Sequence, residues 1–396
     1  MQNYKSLKLK KGKEQSVKRY HPWIFSGAIE KSAQMPEEGD IVKVFSHDNQ
    51  FLGIGHYQIG SIAVRLFSFD DCNIDFDFWK NKLFKAFLLR KELGLTDNNE
   101  TNAFRLVNGE GDNMPGLIVD YYNGVAVMQM HSIGMYKCAD IFTSILKDLF
   151  GNNLIAVYNK SSATLPYKAD INHSDGYLFG NIDRDIIISE NSNHFKVNWL
   201  EGQKTGFFLD QRNNRQLLQK FSENKTVLNM FGYTGGFSVY ALKGGAKLVH
   251  TVDSSEKAID LSVQNIELNF GNTDKHKAFA VDAWEFLKNA ENEYDFIILD
   301  PPAFAKHNNV IDNAIKGYKR LNTIALRNIK SNGILFTFSC SQVISKEIFK
   351  QTIFVASANA KRNVRILYEL SQPPDHPVNI FHPEGEYLKG LVLFVE

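Results

Sequence analysis

The sequence predicts an α/β chain. Its C-terminal half reads as a parallel sheet wound with helices, preceded by a small β-barrel and a compact α+β module. Three observations lead there. From about residue 195, short apolar runs alternate strictly with helical stretches, the rhythm of βαβ units. Residues 1–70 hold only short β-like runs punctuated by Gly39, Gly53, Gly55 and Gly60. Between these blocks, one helical segment is followed by strands, turns and a second helix. At 396 residues the chain exceeds one ordinary core, and the domains read as 1–70, 71–194 and 195–396.

In the first block, "GDIVKVF", "FLGIGHYQ" and "SIAVRLFSF" supply the strands, and His21 and Trp23 in "YHPWIF" read as turn and core residues. The chain is near neutral, with 45 basic and 44 acidic residues, yet residues 1–20 carry seven basic residues against Glu14 alone. That end is either a phosphate-contacting surface, with Lys18 and Arg19 as candidates, or a solvated arm. An acidic stretch from Asp70 to Asp77 marks the boundary, and residues 75–93 read as helix. Asn123-Gly124 predicts a hairpin turn inside "DYYNGVAV", and "YKCADIFTSILKDLF" predicts one amphipathic helix. No apolar run approaches the ~18–20 residues that span a bilayer. The first residues lack a secretory pattern. Cys72, Cys138 and Cys340 are scattered and odd in number, which fits neither a disulfide framework nor a zinc site. The expectation is a cytoplasmic protein with no membrane and no metal.

The third block carries the chemistry. "TVLNMF", "LVHTVD", "HKAFAVDA", "YDFIILD" and "GILFTFS" read as successive strands, each followed by a helical segment, and "NVRILYEL" and "KGLVLFVE" as a final antiparallel pair. After the first strand, "FGYTGG" offers Gly232, Gly235 and Gly236 for close backbone approach at a helix N-terminus. Asp253 ends the second strand, where a carboxylate can accept from ribose hydroxyls. Asp282 follows the third, and Asp300-Pro301-Pro302 the fourth. Each Asp alone could be a helix N-cap and the prolines helix breakers, but four strand ends presenting such residues to one crevice are jointly improbable by accident. The spacing G-x-x-G-G departs from the G-x-G-x-x-G of dinucleotide enzymes, which disfavours a nicotinamide dehydrogenase. Cys340 follows the fifth strand. On the local string it is a small core hydrophobe; in this context it is a nucleophile at the ligand-binding edge of the sheet. A thiolate adding to carbon 6 of a pyrimidine makes carbon 5 nucleophilic, provided the thiol pKa falls from ~8.5 or its proton is removed.

The strand-end pattern resembles class I S-adenosylmethionine methyltransferases, a Rossmann-like fold. The ordered blocks "RYHPWIFSGAI", "EGQKTGFFLDQRNNR", "FGYTGGFSVYALKGGA", "LDPPAFAK", "SCSQ" and "PPDHPVNIFHPEGEYLKGL" resemble, nearly end to end, the RlmI-like family of bacterial ribosomal RNA large subunit methyltransferases. That resemblance implies an N-terminal PUA domain that binds RNA, S-adenosylmethionine as cofactor, large-subunit ribosomal RNA as partner, and 5-methylcytidine as product. It assigns cofactor contacts to Thr205, Asp210, Phe231, Gly232, Tyr233, Gly235, Gly236, Asp253, Ser254, Asp282, Ala283 and Asp300, with Cys340 and Asp300 catalytic. Gln203, Lys204 and Arg212 are candidates to close over the cofactor or guide RNA, while a capped helix start is the plain alternative for Asp210. His376 reads as structural. Ala303 stands where two-cysteine RNA cytosine enzymes carry their second cysteine, so the arrangement is single-cysteine, as in uracil-C5 enzymes. Exocyclic-amine or uracil-C5 methylation and a non-catalytic ribosome-assembly factor remain alternatives, and oligomeric state, a homodimer included, is left open.

Overall fold

Alternating apolar residues along Ile41–Phe45 put Val42 and Val44 inside, and the run pairs antiparallel with Phe51–Tyr57, which pairs antiparallel with Ile62–Ser68. Lys5–Lys8 adds in parallel at one edge and Trp23–Phe25 antiparallel at the other, giving a five-stranded sheet. The computed structural model describes residues 4–32, 34–166, 174–183, 185–305 and 310–396. Lys306, the last residue of the "LDPPAFAK" block, lies outside them. The chain divides into two units. The first comprises Met1–Ile188, Val197–Phe207 and Pro374–Gly385; the second comprises Ser189–Lys196, Phe208–Pro373 and Glu386–Glu396.

The first unit contains a second five-stranded sheet. Its order is Gly176–Phe179, Ala156–Asn159, Val125–Met130, Leu117–Tyr122, Ala103–Asn108. Asn123 and Gly124 both have positive φ, 43° and 99°, which is the backbone a two-residue hairpin turn requires. Helix Phe76–Glu92 is capped by Asp75, whose side chain accepts from the Phe78 N–H. The segment expected as one helix is two, Ile133–Lys137 and Ala139–Phe150. Ser132 caps the first, and Cys138 breaks the run at φ −94°, ψ 5°. The two five-stranded sheets of this unit share a core: Ile54 and Phe67 from the first pack with Trp79, Phe104 and Phe142, and Trp79 is 1% exposed.

The second unit is built on a seven-stranded sheet. In sequence order its strands are Thr226–Met230, Leu248–Asp253, His276–Ala280, Phe296–Leu299, Gly333–Ser339, Val364–Leu370 and Lys389–Val395. Their spatial order is third, second, first, fourth, fifth, seventh, sixth. The first five are parallel, and the seventh runs antiparallel between the fifth and sixth. Buried Leu228, Met230, Leu299, Leu335 and Leu393 form its core with helix residues such as Leu321, Leu326 and Phe349. Among the described residues no helix is long and apolar enough to cross a membrane, and no group of His, Cys, Asp and Glu could hold a metal ion.

Candidate active site

In the second unit the first strand lies between the second and the fourth, so the winding direction changes beside it. In open α/β sheets ligands bind at the carboxyl edge of such a point. Here that edge is a tight turn in which Phe231, Tyr233 and Gly235 all have left-handed backbones, φ 57°, 46° and 76°. For the two aromatic residues this conformation costs on the order of 1–3 kcal/mol each. The surroundings hold it in place. Gly232 N–H donates to Val252 O at 3.0 Å, Tyr233 N–H to Asp253 Oδ2 at 3.0 Å, and Gly235 N–H to Gly232 O at 2.8 Å. A Cβ at Gly235 would sit 2.3 Å from Ser262 Oγ, so any side chain there would force Ser262 to move. Gly236 then opens helix Gly236–Lys243. Arg215 packs against Gly236 and makes a bidentate pair with Glu190, both contacts at 2.8 Å and both side chains buried. Burial disfavours the Arg215 charge, but the Glu190 carboxylate outweighs it and holds the guanidinium above its ordinary pKa. Tyr240 and Phe208 O complete this support, bonding Glu190 and Arg215 respectively.

Asp253 is tied into the turn by both oxygens: Oδ2 accepts from Tyr233 N–H and Oδ1 from Ser255 N–H, each at 3.0 Å. A carboxylate has about four acceptor positions, so about two are left for a ligand. Ser254 beside it is exposed. Asp282 does serve as an N-cap: its Oδ1 accepts from Glu285 N–H at 3.0 Å at the head of helix Ala283–Lys288. Its side chain is nonetheless exposed, and Ala283 is buried behind it.

On the other side of the first strand, Asp300 follows the fourth strand and accepts from Gln211 Nε2 at 3.0 Å. Cys340, half-buried, follows the adjacent fifth strand, with Sγ 3.8 Å from Pro301 O. Asp210 lies in the turn Leu209–Gln211 and is no helix cap: Gln211 occupies the N-cap of helix Arg212–Gln219, and Asp210 Oδ2 accepts from Tyr387 hydroxyl at 2.7 Å. Arg212 is buried, with Nε 3.5 Å from Glu190. Gln211, Tyr387, Lys389 and the Glu190–Arg215 pair join the site through contacts that the sequence pattern does not mark. The signal available for Lys389 was a lysine heading the apolar run "GLVLFV".

Thr205 and His376 belong to the first unit. The Thr205 hydroxyl donates to Asp120 Oδ2 at 2.6 Å and is 3.0 Å from the Tyr122 hydroxyl. His376 is buried against Asp375, which also accepts from Arg105 N–H. Trp23 bonds Glu110 through Nε1 at 2.8 Å. Lys18 and Arg19 are exposed on the same unit, next to exposed Tyr20, whose ring lies 5.2 Å from Phe69 and 5.3 Å from Phe381.

Residues 7–69 match a PUA-like domain, and residues 105–380 match an S-adenosylmethionine-dependent methyltransferase family. Over 98% of its length the chain is 38% identical to ribosomal RNA large subunit methyltransferase I of Aeromonas hydrophila, covering 98% of that protein. The protein of the same name from Shewanella frigidimarina is also 38% identical, with 98% of both chains covered. Among solved structures, a methyltransferase complexed with SAH superposes with a TM-score of 0.85 at 25% identity, covering 99% of this chain and all of that one. A methyltransferase structure from Streptococcus mutans gives 0.84 at 24% over the same share. The residues present fit the cofactor of that family. Gly232, Gly235 and Gly236 bring no side chain of their own to bar a close approach to the turn, and the anchored Asp253 carboxylate retains acceptor capacity for a diol.

Proposed function

The chain belongs to the S-adenosylmethionine-dependent methyltransferase family that joins a PUA-like domain to a methyltransferase fold, and from that membership we propose that it methylates carbon 5 of a cytidine in large-subunit ribosomal RNA. The observation that carries this reading is Cys340, half-buried at the carboxyl edge of the fifth strand and 3.8 Å from Pro301 O, next to Asp300. When bound, S-adenosylmethionine supplies an electrophilic methyl group. The Cys340 thiolate adds to carbon 6, which turns carbon 5 into an enamine-like nucleophile. After carbon 5 is methylated, loss of its proton expels the thiolate and restores the ring. Asp300, its rotamer held by Gln211 Nε2, is assigned the N3 edge of the base. The Gly232–Gly236 turn, Asp253, Ser254, Asp282 and Ala283 are assigned to the cofactor.

Two features weigh against methylation of an exocyclic amine. Ala303 separates Phe304 from the prolines, and the partly buried Phe304 ring packs 4.6 Å from the buried Tyr318 ring, which engages it away from a stacking role. Lys18 and Arg19, exposed and directly before exposed Tyr20 in the chain, support an RNA-contacting role for the PUA-like end, since basic groups together with an exposed aromatic ring suit unpaired nucleotides. Ribosomal RNA as substrate puts the protein in the cytoplasm.

The reading is tested by incubating the enzyme with labelled cofactor and unmodified large-subunit RNA and identifying the product nucleoside by mass spectrometry. 5-Methylcytidine is expected. N4-methylcytidine or an N-methylated purine would contradict the carbon-5 assignment, and 5-methyluridine would contradict the choice of cytosine.

A further inference from the structure

Lys389 heads the seventh strand, with its Cα paired to Ser339, the residue before Cys340. It is 3% exposed. Lysine is almost never so buried unless its charge is matched. Its Nζ donates to two backbone carbonyls, Ser341 O and Tyr387 O, both at 2.7 Å. An ammonium has three N–H groups and a neutral amine two, so the carbonyls hold the nitrogen in place and one further donor goes with the charged form. The ionisable groups acting on it are few. Cys340 is the strongest, followed by Glu386 and Lys346. The last two are paired with each other, which leaves little net field from them. Tyr318 faces the same edge, its hydroxyl 3.0 Å from Ser341 Oγ, and burial raises its pKa, so it stays neutral.

We propose that Lys389 is the positioning residue that holds Cys340 as a thiolate, the two side chains sharing one proton as an ion pair. In the step, the S–H bond of Cys340 breaks and an N–H bond forms on the Lys389 amine. No electron leaves the pair, and the neutral pair becomes ammonium and thiolate. The proposal rests on the reading of Cys340 as the attacking group. Burial pushes the Lys389 ammonium down to about 8, and the neighbouring thiolate opposes that shift. The nitrogen is therefore close in proton affinity to an ordinary thiol, ~8.5, and near neutral pH the single proton of the pair rests on it as ammonium, the charge that favours the thiolate.

The test is the pH profile of Cys340 alkylation by iodoacetamide, read on its own peptide by mass spectrometry in the full-length protein. For the wild type the midpoint is expected at least ~1 pH unit below the ordinary ~8.5 of a thiol. Lys389→Met should bring it to ~8.5 or above and slow alkylation near neutral pH about tenfold or more. Lys389→Arg, which keeps the charge, should hold the midpoint low, which a purely structural lysine would not require. A Lys389→Met protein that still binds S-adenosylmethionine and keeps the wild-type midpoint overturns the proposal. Should Lys389→Met fail to fold, the wild-type curve decides, because a wild-type midpoint at or above ~8.5 overturns it equally. Failure of the underlying reading is seen separately, as methyl transfer that survives in Cys340→Ala whatever the midpoint.

Discussion

Cys340→Ala should reduce methyl transfer by about a thousandfold or more, since no other group replaces the nucleophile, while S-adenosylmethionine affinity by calorimetry stays unchanged. Cys340→Ser should be nearly as inactive, because a hydroxyl is scarcely ionised at neutral pH. Replacing Cys72 and Cys138 should leave turnover intact. Burial pushes the Cys138 thiol up to about 11, so it carries no thiolate under assay conditions. Asp253→Ala removes the acceptor of both Tyr233 N–H and Ser255 N–H. Hydrogen bonds to a charged group contribute about 1.5–3 kcal/mol, so cofactor affinity should fall roughly tenfold to a hundredfold. Unchanged affinity would remove Asp253 from the cofactor site. The strand-end positions of Cys340 and Asp253 were legible because each closes a short apolar run. The placements of Lys389 and Gln211 were not, because they depend on partners distant in sequence: Lys389 lies 48 residues from Ser341, and Gln211 lies 89 from Asp300.

At the scale of elements, the alternation of strands and helices from Thr226 to Val395 was readable because each strand of the second unit is a short apolar run bounded by polar turns. The antiparallel pairing of the last two strands also followed from the missing helix between them. The break at Cys138 was not readable, since the apolar period runs straight through it. Nor were the left-handed backbones of Phe231 and Tyr233, which local propensity opposes and tertiary hydrogen bonds impose. That turn should be sensitive to small changes. Gly235→Ala adds a Cβ 2.3 Å from Ser262 Oγ at φ 76°, so it should destabilise the protein by about 1–3 kcal/mol and weaken cofactor binding. Urea unfolding with and without S-adenosylmethionine measures both effects. Glu190→Gln leaves the buried Arg215 guanidinium without its counter-charge. A loss of about 3–5 kcal/mol is expected, and a loss below about 1 kcal/mol would mean the pair does not support the turn.

For the whole molecule, stability should depend on pH through His56. This imidazole is buried among Phe67 and Trp79, and burial, with Lys137 nearby, pushes its pKa down to about 3. The unfolded chain takes up the proton near pH ~6.5. Its contribution is therefore fully present above ~6.5 and lost as pH falls towards the folded value, at about 1.4 kcal/mol per unit. Urea midpoints should drop between neutral and about pH 5, and His56→Phe should flatten that drop. The same packing makes removal of residues 1–70 a poor probe of RNA binding, since Ile54 and Phe67 share a core with Trp79. Lys18→Ala with Arg19→Ala in the full chain is the cleaner change. RNA affinity should fall, and the slope of log affinity against log salt should flatten by about one to two; an unchanged slope would assign these residues to a solvated arm. The account as a whole stands on a covalent bond between this protein and a cytosine. Large-subunit RNA carrying 5-fluorocytidine blocks loss of the carbon-5 substituent, so with S-adenosylmethionine present the enzyme should stop as a denaturation-resistant adduct whose peptide mass maps to Cys340. The absence of any adduct from an enzyme that methylates unsubstituted cytidine in the same RNA would contradict it.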